Sequence, residues 1–356
     1  MKILCHGFSC ALEHITSGWK NVLEHCGHQW LYWPKGTSAF DVFYEYEPDI
    51  FIGTTYDLDR AICKNIAMRP EMKVILKGNN WGELTDEIDL KEFPIGNSTE
   101  EEQKRVIDLC YDTKRDLTSE NPIKLFNFYH QNRMNDTMGL WEMNGVETMS
   151  MLPAADTYVY YPEEVSEEFK CDVGFVGGYW DYKGRTLNEF FLPLCYPVGK
   201  YKVKIFGNQI WPVVQYLGQT SNDNVRHLFN SATVCPNVSE PHATKFGFEV
   251  NERVFKIAAC KGLCISDNVA SLYEDIFINN ELPIFGTQAE LLDSVSAWVE
   301  NPEHALRQEK IDKLYESTIR NHTYFDRMSA MCKTFQLYDE AKEIEELKER
   351  ELLCKN

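Results

Sequence analysis

The sequence predicts an α/β chain of two doubly wound domains, each built on a largely parallel sheet, followed by a helical tail. Apolar runs of strand length recur along the chain, and segments with helical apolar spacing separate them. The 356 residues also exceed what one ordinary core holds and suit two domains.

Taken in order, strand-like runs fall at 2–8, 29–33, 49–55, 73–78 and 124–130. Residues 13–27, stopped by Gly27, and 58–68 carry helical spacing between them. From 81 to 121 the chain turns polar and acidic, with three glutamates at 100–102, and reads as a solvated insertion with a helix near 99–117. A second strand series occupies 171–178, 201–207, 233–238, 262–267 and 283–286, with a helix at 288–300. The intervening LPAADTYVYYPEE has the prolines and polar residues of a connector. The expected domains are therefore 1–160 and 161–320, with 321–356 packing back as helices and a tail. The stretch 338–353, rich in Glu and Lys, reads as a solvated terminal helix.

Composition narrows the function. At 44% hydrophobic and 26% charged the chain is that of a soluble globular protein. Its formal charge of −19 repels nucleic acid, anionic lipid and acidic polymers at long range, so a phosphate-bearing ligand needs a local basic pocket. The 12 cysteines include no Cys-x-x-Cys pair and many lie in apolar runs, which favours buried thiols in a reducing, cytoplasmic setting. The amino terminus, MKILCHGF, is a strand pattern and not a signal peptide, and no run approaches the ~18 apolar residues of a membrane span.

The most informative segment is 246–267, FGFEVNERVFKIAACKGLCISD, which reads as helix, turn and buried strand. Such a unit puts a helix N-terminus at a sheet edge, where an anion is favoured. Glu249 and Glu252 suit hydroxyl groups there and Arg253 suits phosphate. The alternative is a surface helix whose acidic first turn only complements its dipole.

NERVFKIAACKG followed by LCISDN resembles the signature of group 1 glycosyltransferases of GT-B fold, in particular their spore-maturation-protein-like branch. Leu152, Pro153, Asp156, Tyr161 and Pro162 are similar to that family's interdomain segment. The stretch FVGGYWDYKGRTLNEFFLPL is similar to the opening of its second domain. His322, Thr323, Tyr324 and Arg327 are similar to its terminal helix. The resemblance covers about half the length.

It implies two Rossmann-like domains facing a cleft, the second holding a nucleotide-sugar and the first an acceptor. The nucleoside diphosphate leaving group then needs positive charge, from Arg253 and from Lys183 or Arg185, with Gly177 and Gly178 allowing close backbone approach. A tight turn alone also explains the glycines. Glu249 and Glu252 are the candidates for sugar or ribose hydroxyls. Lys256 stands where the family carries a ribose-binding Glu. Either Glu252 assumes that role, or Lys256 adds a phosphate or acidic-sugar contact, or the donor site is altered. Glu240 and Glu249 miss the family's Glu-x7-Glu separation by one residue.

On the acceptor side, His6 and His14 flank the Gly7 loop, and His130, at the end of KLFNFYH, suits a general base or an acceptor-orienting group. A structural role is the alternative for each. The expected function is transfer of a sugar from a nucleotide-sugar, UDP-linked, to an acceptor hydroxyl, retaining and metal-independent, with no cofactor beyond the donor. A glycan, a protein hydroxyl, a lipid-linked sugar or a hydroxymethylated DNA base are the open acceptors, and charge does not favour DNA. The competing classes are a non-catalytic nucleotide-sugar or glycan binder and an epimerase acting on the donor itself.

Overall fold

The computed structural model describes residues 1–6, 10–55, 57–78, 123–134 and 146–353. The helix expected at 99–117 and the Gly7 loop lie outside the described residues. The chain divides into two compact units: Met1–Leu152 with Phe325–Asn356, and Pro153–Tyr324. The sequence placed these divisions at 160 and 320. The observed second unit therefore takes in the connector, where Ala155 bridges Thr323 in parallel fashion.

The first unit carries a six-stranded sheet in the order β2-β1-β3-β4-β5-β6. The strands are β1 Lys2–Cys5, β2 Gln29–Tyr32, β3 Ile50–Thr54, β4 Lys73–Lys77, β5 Ile123–Asn127 and β6 Glu147–Ser150. Every pairing is parallel. All five residues of β3 are buried, because a central parallel strand has neighbours on both faces. Helices α1 Cys10–His25, α2 Ala39–Tyr46 and α3 Arg60–Ala67 connect the strands. Ser38 and Asp59 cap α2 and α3 by accepting from the backbone N–H of Asp41 and Ile62. The sequence did not anticipate β6 or α2. Polar ETMS lacks the apolar run that marks the inner strands, as befits an edge.

The second unit carries a five-stranded parallel sheet, β11-β10-β9-β7-β8. Its strands are β7 Cys171–Val176, β8 Val203–Phe206, β9 Ala232–Asn237, β10 Cys264–Asp267 and β11 Ile284–Phe285. Between them lie α4 Asp181–Thr186, α5 Asn222–Ser231, α6 Pro241–Phe246 and α7 Glu252–Ala259, then α8 Gln288–Glu300 and α9 Ala305–Asn321. Thr287 and Glu290 form a reciprocal capping box that starts α8. Val173, Phe175, Phe191, Ile205, Trp211, Val234 and Ile265 centre the core.

Helix α10, Tyr324–Thr334, joins the first unit from Phe325 onward, and α11, Tyr338–Lys348, follows it. The sequence treats this end as solvated, yet Ala341, Ile344 and Leu347 are buried and Lys348 donates to Asp326 at 2.5 Å. Only the face with Glu and Lys meets solvent, as the helical period requires. No described helix is long and apolar enough to cross a membrane.

Candidate functional site

Strand order singles out one place in each sheet. In the second unit the chain runs from β7 to its neighbour β8, then returns past β7 to build β9, β10 and β11 on the other side. The reversal leaves a crevice beyond the carboxyl ends of β7 and β9, where open α/β sheets bind ligands. The residues after β7 are Gly177 and Gly178, and those after β9 are Val238, Ser239 and Glu240.

Arg253, on the first turn of α7, reaches into this place. Its Nε donates to the Val176 carbonyl at 2.7 Å and its Nη1 to Asn237 Oδ1 at 2.8 Å. The guanidinium lies over the Phe175 ring, 4.4 Å from the centroid. Gly177 makes room: a Cβ there would fall 2.8 Å from Arg253 Nη2. Around it, Ser239 donates its backbone N–H to Asp267 Oδ2 at 2.5 Å and its hydroxyl to Oδ1 at 2.9 Å. Asn237 Nδ2 donates to Ser266 Oγ at 2.9 Å. Burial raises the Asp267 carboxyl to about 6, against the opposing pull of the Ser239 and Ser266 hydrogen bonds and of Arg253.

Lys183, on α4, is 5% exposed, and its Nζ sits 5.1 Å from the Trp180 ring centroid. No carboxylate among the described residues closes to ion-pair distance with it. Burial, then the charge of Arg253, lowers it to about 8, while Glu240, Asp267 and Glu249 pull the other way. Burial likewise lowers Arg253 to about 10. A buried and a half-buried cation thus repel one another at the crevice, and among the described residues neither has a salt bridge, inside a chain of net charge −19. Folding alone does not favour that arrangement; an anionic ligand does.

The glycines belong to the same construction. Gly177 N donates to the Phe206 carbonyl at 2.9 Å, and a Cβ on Gly207 would meet the Gly177 oxygen at 2.2 Å. Gly207→Ala is therefore expected to force the ends of β7 and β8 apart, costing about 1–3 kcal/mol, measurable as a lower Tm.

The structure separates the remaining candidates. Glu249 is half-buried, with Oε2 2.6 Å from His242 Nε2. Arg185 is exposed, stacked over the Tyr182 ring at 5.5 Å. With Thr186, Pro241, Thr244, Asp267 and Phe285 it lines a recess of about 400 Å³. Glu252 and Lys256 share the other face of α7 and pair at 2.6 Å. Tyr324 donates its hydroxyl to Glu252 Oε1 at 2.8 Å, and Lys256 lies 5.0 Å from the Tyr160 ring centroid. Arg253 faces the crevice and its two helix neighbours do not share its partners.

In the first unit the equivalent reversal lies between β1 and β3. His6 follows β1 there, its ring edge-on to Trp33 at 4.6 Å. Burial lowers its pKa against the pull of Asp57 and Asp59, so the imidazole is neutral near pH 7. His130 follows β5, two strands further along, and its Nδ1 accepts from the Asn132 backbone at 3.3 Å. His14 is exposed on α1. The structure thus brings Gly177, Gly178, Lys183, Arg253 and Glu249 into one neighbourhood of the second unit.

Sequence reasoning missed Tyr182, Ser239, His242 and Asp267. Asp267 carried a signal, since a carboxylate ending a buried strand requires partners. Tyr182 and His242 meet only in the folded chain.

Residues 185–333 match the family model described as glycosyl transferase-like. That segment contains β8 to β11 and Arg253, whereas β7, Gly177, Gly178 and Lys183 precede it. No curated protein matches the chain in sequence. Among solved structures, sucrose-phosphate synthase from Thermosynechococcus elongatus superposes with a TM-score of 0.65 at 9% identity, over 96% of this chain and 100% of that one. The fold is GT-B. The Anabaena protein HepE, solved with UDP and glucose, gives a TM-score of 0.57 at 11% identity, over 94% and 99% of the two chains. A DNA-modifying β-glucosyltransferase gives 0.57 at 14%, over 98% and 99%. The chain thus has the GT-B fold, and residues 185–333, which lie mostly in its second unit, are similar to the glycosyl transferase-like model.

Proposed function

We propose that this protein transfers a sugar from a UDP-sugar to an acceptor hydroxyl, with the diphosphate held by Lys183 and Arg253 beyond the carboxyl ends of β7 and β9. The observation that carries the proposal is the pair of cations, Lys183 buried and Arg253 half-buried, that have no ion-pair partner among the described residues at the sheet's reversal point. The HepE structure, solved with UDP and glucose, supports the choice of donor.

The chemistry follows from charge. Cleavage of the bond between the anomeric carbon and the diphosphate leaves growing negative charge on the leaving oxygen. Lys183 and Arg253 are fixed, poorly hydrated cations and stabilise it without reorganising. The same two residues supply the charge that a metal ion would supply, so the proposed reaction is metal-independent. It retains the anomeric configuration, as the resemblance to group 1 enzymes and their spore-maturation-like branch implies.

Lys256 and Glu252 pack α7 and do not bind the donor in this proposal, because each is already the other's partner. His6, His14 and His130 belong to the acceptor-binding unit. Acceptors are neutral hydroxyl compounds before DNA, since a chain of charge −19 repels a polyanion. The free thiols of the described cysteines suit a reducing, cytoplasmic setting.

Release of UDP from UDP-glucose by the purified protein, slow in water and faster with an acceptor, tests the reaction. No release and no binding across a panel of nucleotide-sugars would refute it. A pH dependence is also expected. Lys183 is charged below about 8 and loses its proton above. UDP affinity should therefore fall as pH rises from 7 to 9, approaching one decade per pH unit at the upper end. Titration calorimetry at several pH values checks this, and a flat profile would contradict it.

A further inference from the structure

Beside the two cations lies a buried cluster that the proposed chemistry leaves without a task. His242, on α6, is 2% exposed. Its Nδ1 is 2.9 Å from the Tyr182 hydroxyl and its Nε2 is 2.6 Å from Glu249 Oε2. The Tyr182 and His242 rings are parallel within 3°, 5.8 Å apart, and the His242 backbone N–H donates to the same phenol oxygen at 3.2 Å. Glu240 Oε2 stands 3.8 Å from Nδ1. The ring therefore has a partner at each nitrogen and a stacked neighbour on its face, so it has one orientation.

We propose that His242 is a positioning residue that fixes the Glu249 carboxylate to accept hydrogen bonds from hydroxyls of the donor's sugar, so that it sets recognition of the sugar and not of the nucleotide. This inference rests on the UDP-sugar function proposed above.

The chemistry of the partners supports the assignment. A carboxylate repels a diphosphate but accepts from neutral hydroxyls, so its useful place is past the phosphates. Helix α6 carries His242 on its buried side, while Pro241 and Thr244 of the same helix line the 400 Å³ recess. Helix α4 carries Tyr182 and Lys183 as consecutive residues. One short helix thus holds a phosphate-directed cation and the anchor of the histidine that steers Glu249.

The titratable groups facing His242 include Tyr182, Glu240, Glu249 and Lys183. Burial disfavours its cation, but the attraction and hydrogen bond of Glu249, with Glu240, outweigh burial and the opposing Lys183, and the pKa ends above the ordinary value. As the imidazolium, His242 donates from both nitrogens, to Glu249 and to Tyr182, and the carboxylate stays ionised and fixed. Loss of that proton as pH rises through the elevated pKa removes one of the two donors.

The test compares UDP with UDP-glucose by titration calorimetry, for wild type, His242→Gln and Tyr182→Phe. His242→Gln is expected to weaken UDP-glucose binding by about tenfold relative to UDP, as loss of a charge-assisted hydrogen bond implies. Tyr182→Phe keeps the stacked ring and should weaken it less, in the same direction, with a lower midpoint in the pH profile of UDP-glucose affinity. It provides the comparison if His242→Gln does not fold. An unchanged ratio of UDP-glucose to UDP affinity in a folded variant would overturn the role of His242 and leave the donor site standing. Wild-type protein that binds neither compound would overturn both.

Discussion

Lys183→Met is expected to make the protein more stable and to weaken its binding of UDP strongly. A lysine held at about 8 is charged at pH 7 at the expense of the fold. Because the folded pKa lies below the unfolded one, the penalty is complete below about pH 8 and is relieved as pH rises toward 10.5. Methionine fills the same space without charge, and removes repulsion on Arg253. The gain should be about 2 kcal/mol, several degrees in Tm by thermal denaturation at pH 7. The affinity for UDP should fall about 100-fold or more, since a buried charge-assisted contact to phosphate is lost. A residue kept only for packing would show the opposite pairing, lower stability with unchanged binding.

The second large effect lies on the other face of α7. Lys256→Ala is expected to cost about 3–5 kcal/mol of stability, read as a large drop in Tm or in denaturant midpoint, because it strands a buried carboxylate. Glu252 and Lys256 side chains are 13% and 14% exposed and sit 2.6 Å apart. Burial disfavours the Lys256 cation, but Glu252 and Tyr160 outweigh it and its pKa is raised. The Lys256 contribution is therefore present at neutral pH and is lost as pH rises through that raised value. Glu252→Leu combined with Lys256→Met should recover much of the loss, since removing both charges leaves nothing unpaired. The folded single variant should bind UDP within about threefold of wild type. A selective loss of UDP affinity with normal stability would instead place Lys256 at the donor.

The elements that the sequence made legible are those whose environment is uniform along the strand. IFIGT in β3 and CISD in β10 are buried at every position, so their apolar runs reveal them. The polar edge strand β6 is hidden for the converse reason. In the site, Arg253 was legible from its place at the start of a helix, while Lys183, with Arg185 as its alternative, and the Gly177–Gly178 pair followed from the resemblance to the opening of the family's second domain. The strand order was not, since nothing local in the sequence states that β8 and β9 lie on opposite sides of β7. The crevice they frame was hidden with it. Lys256 and Glu252 stand one helical turn apart, as an internal pair would. What commits them is Tyr160 and Tyr324, distant in sequence and present only after folding. The same holds for His242, whose hold on Glu249 depends on Tyr182.

The central claim is that the second unit grips a diphosphate through two cations at the reversal of its sheet. Titrating wild type and Lys183→Met with UDP and with uridine tests it most directly, because the two ligands differ only in the diphosphate. Wild type should prefer UDP by about 100-fold or more, and Lys183→Met should lose most of that preference while binding uridine about as wild type does. Equal affinity of wild type for UDP and uridine, or a preference for UDP that survives in Lys183→Met, would contradict it.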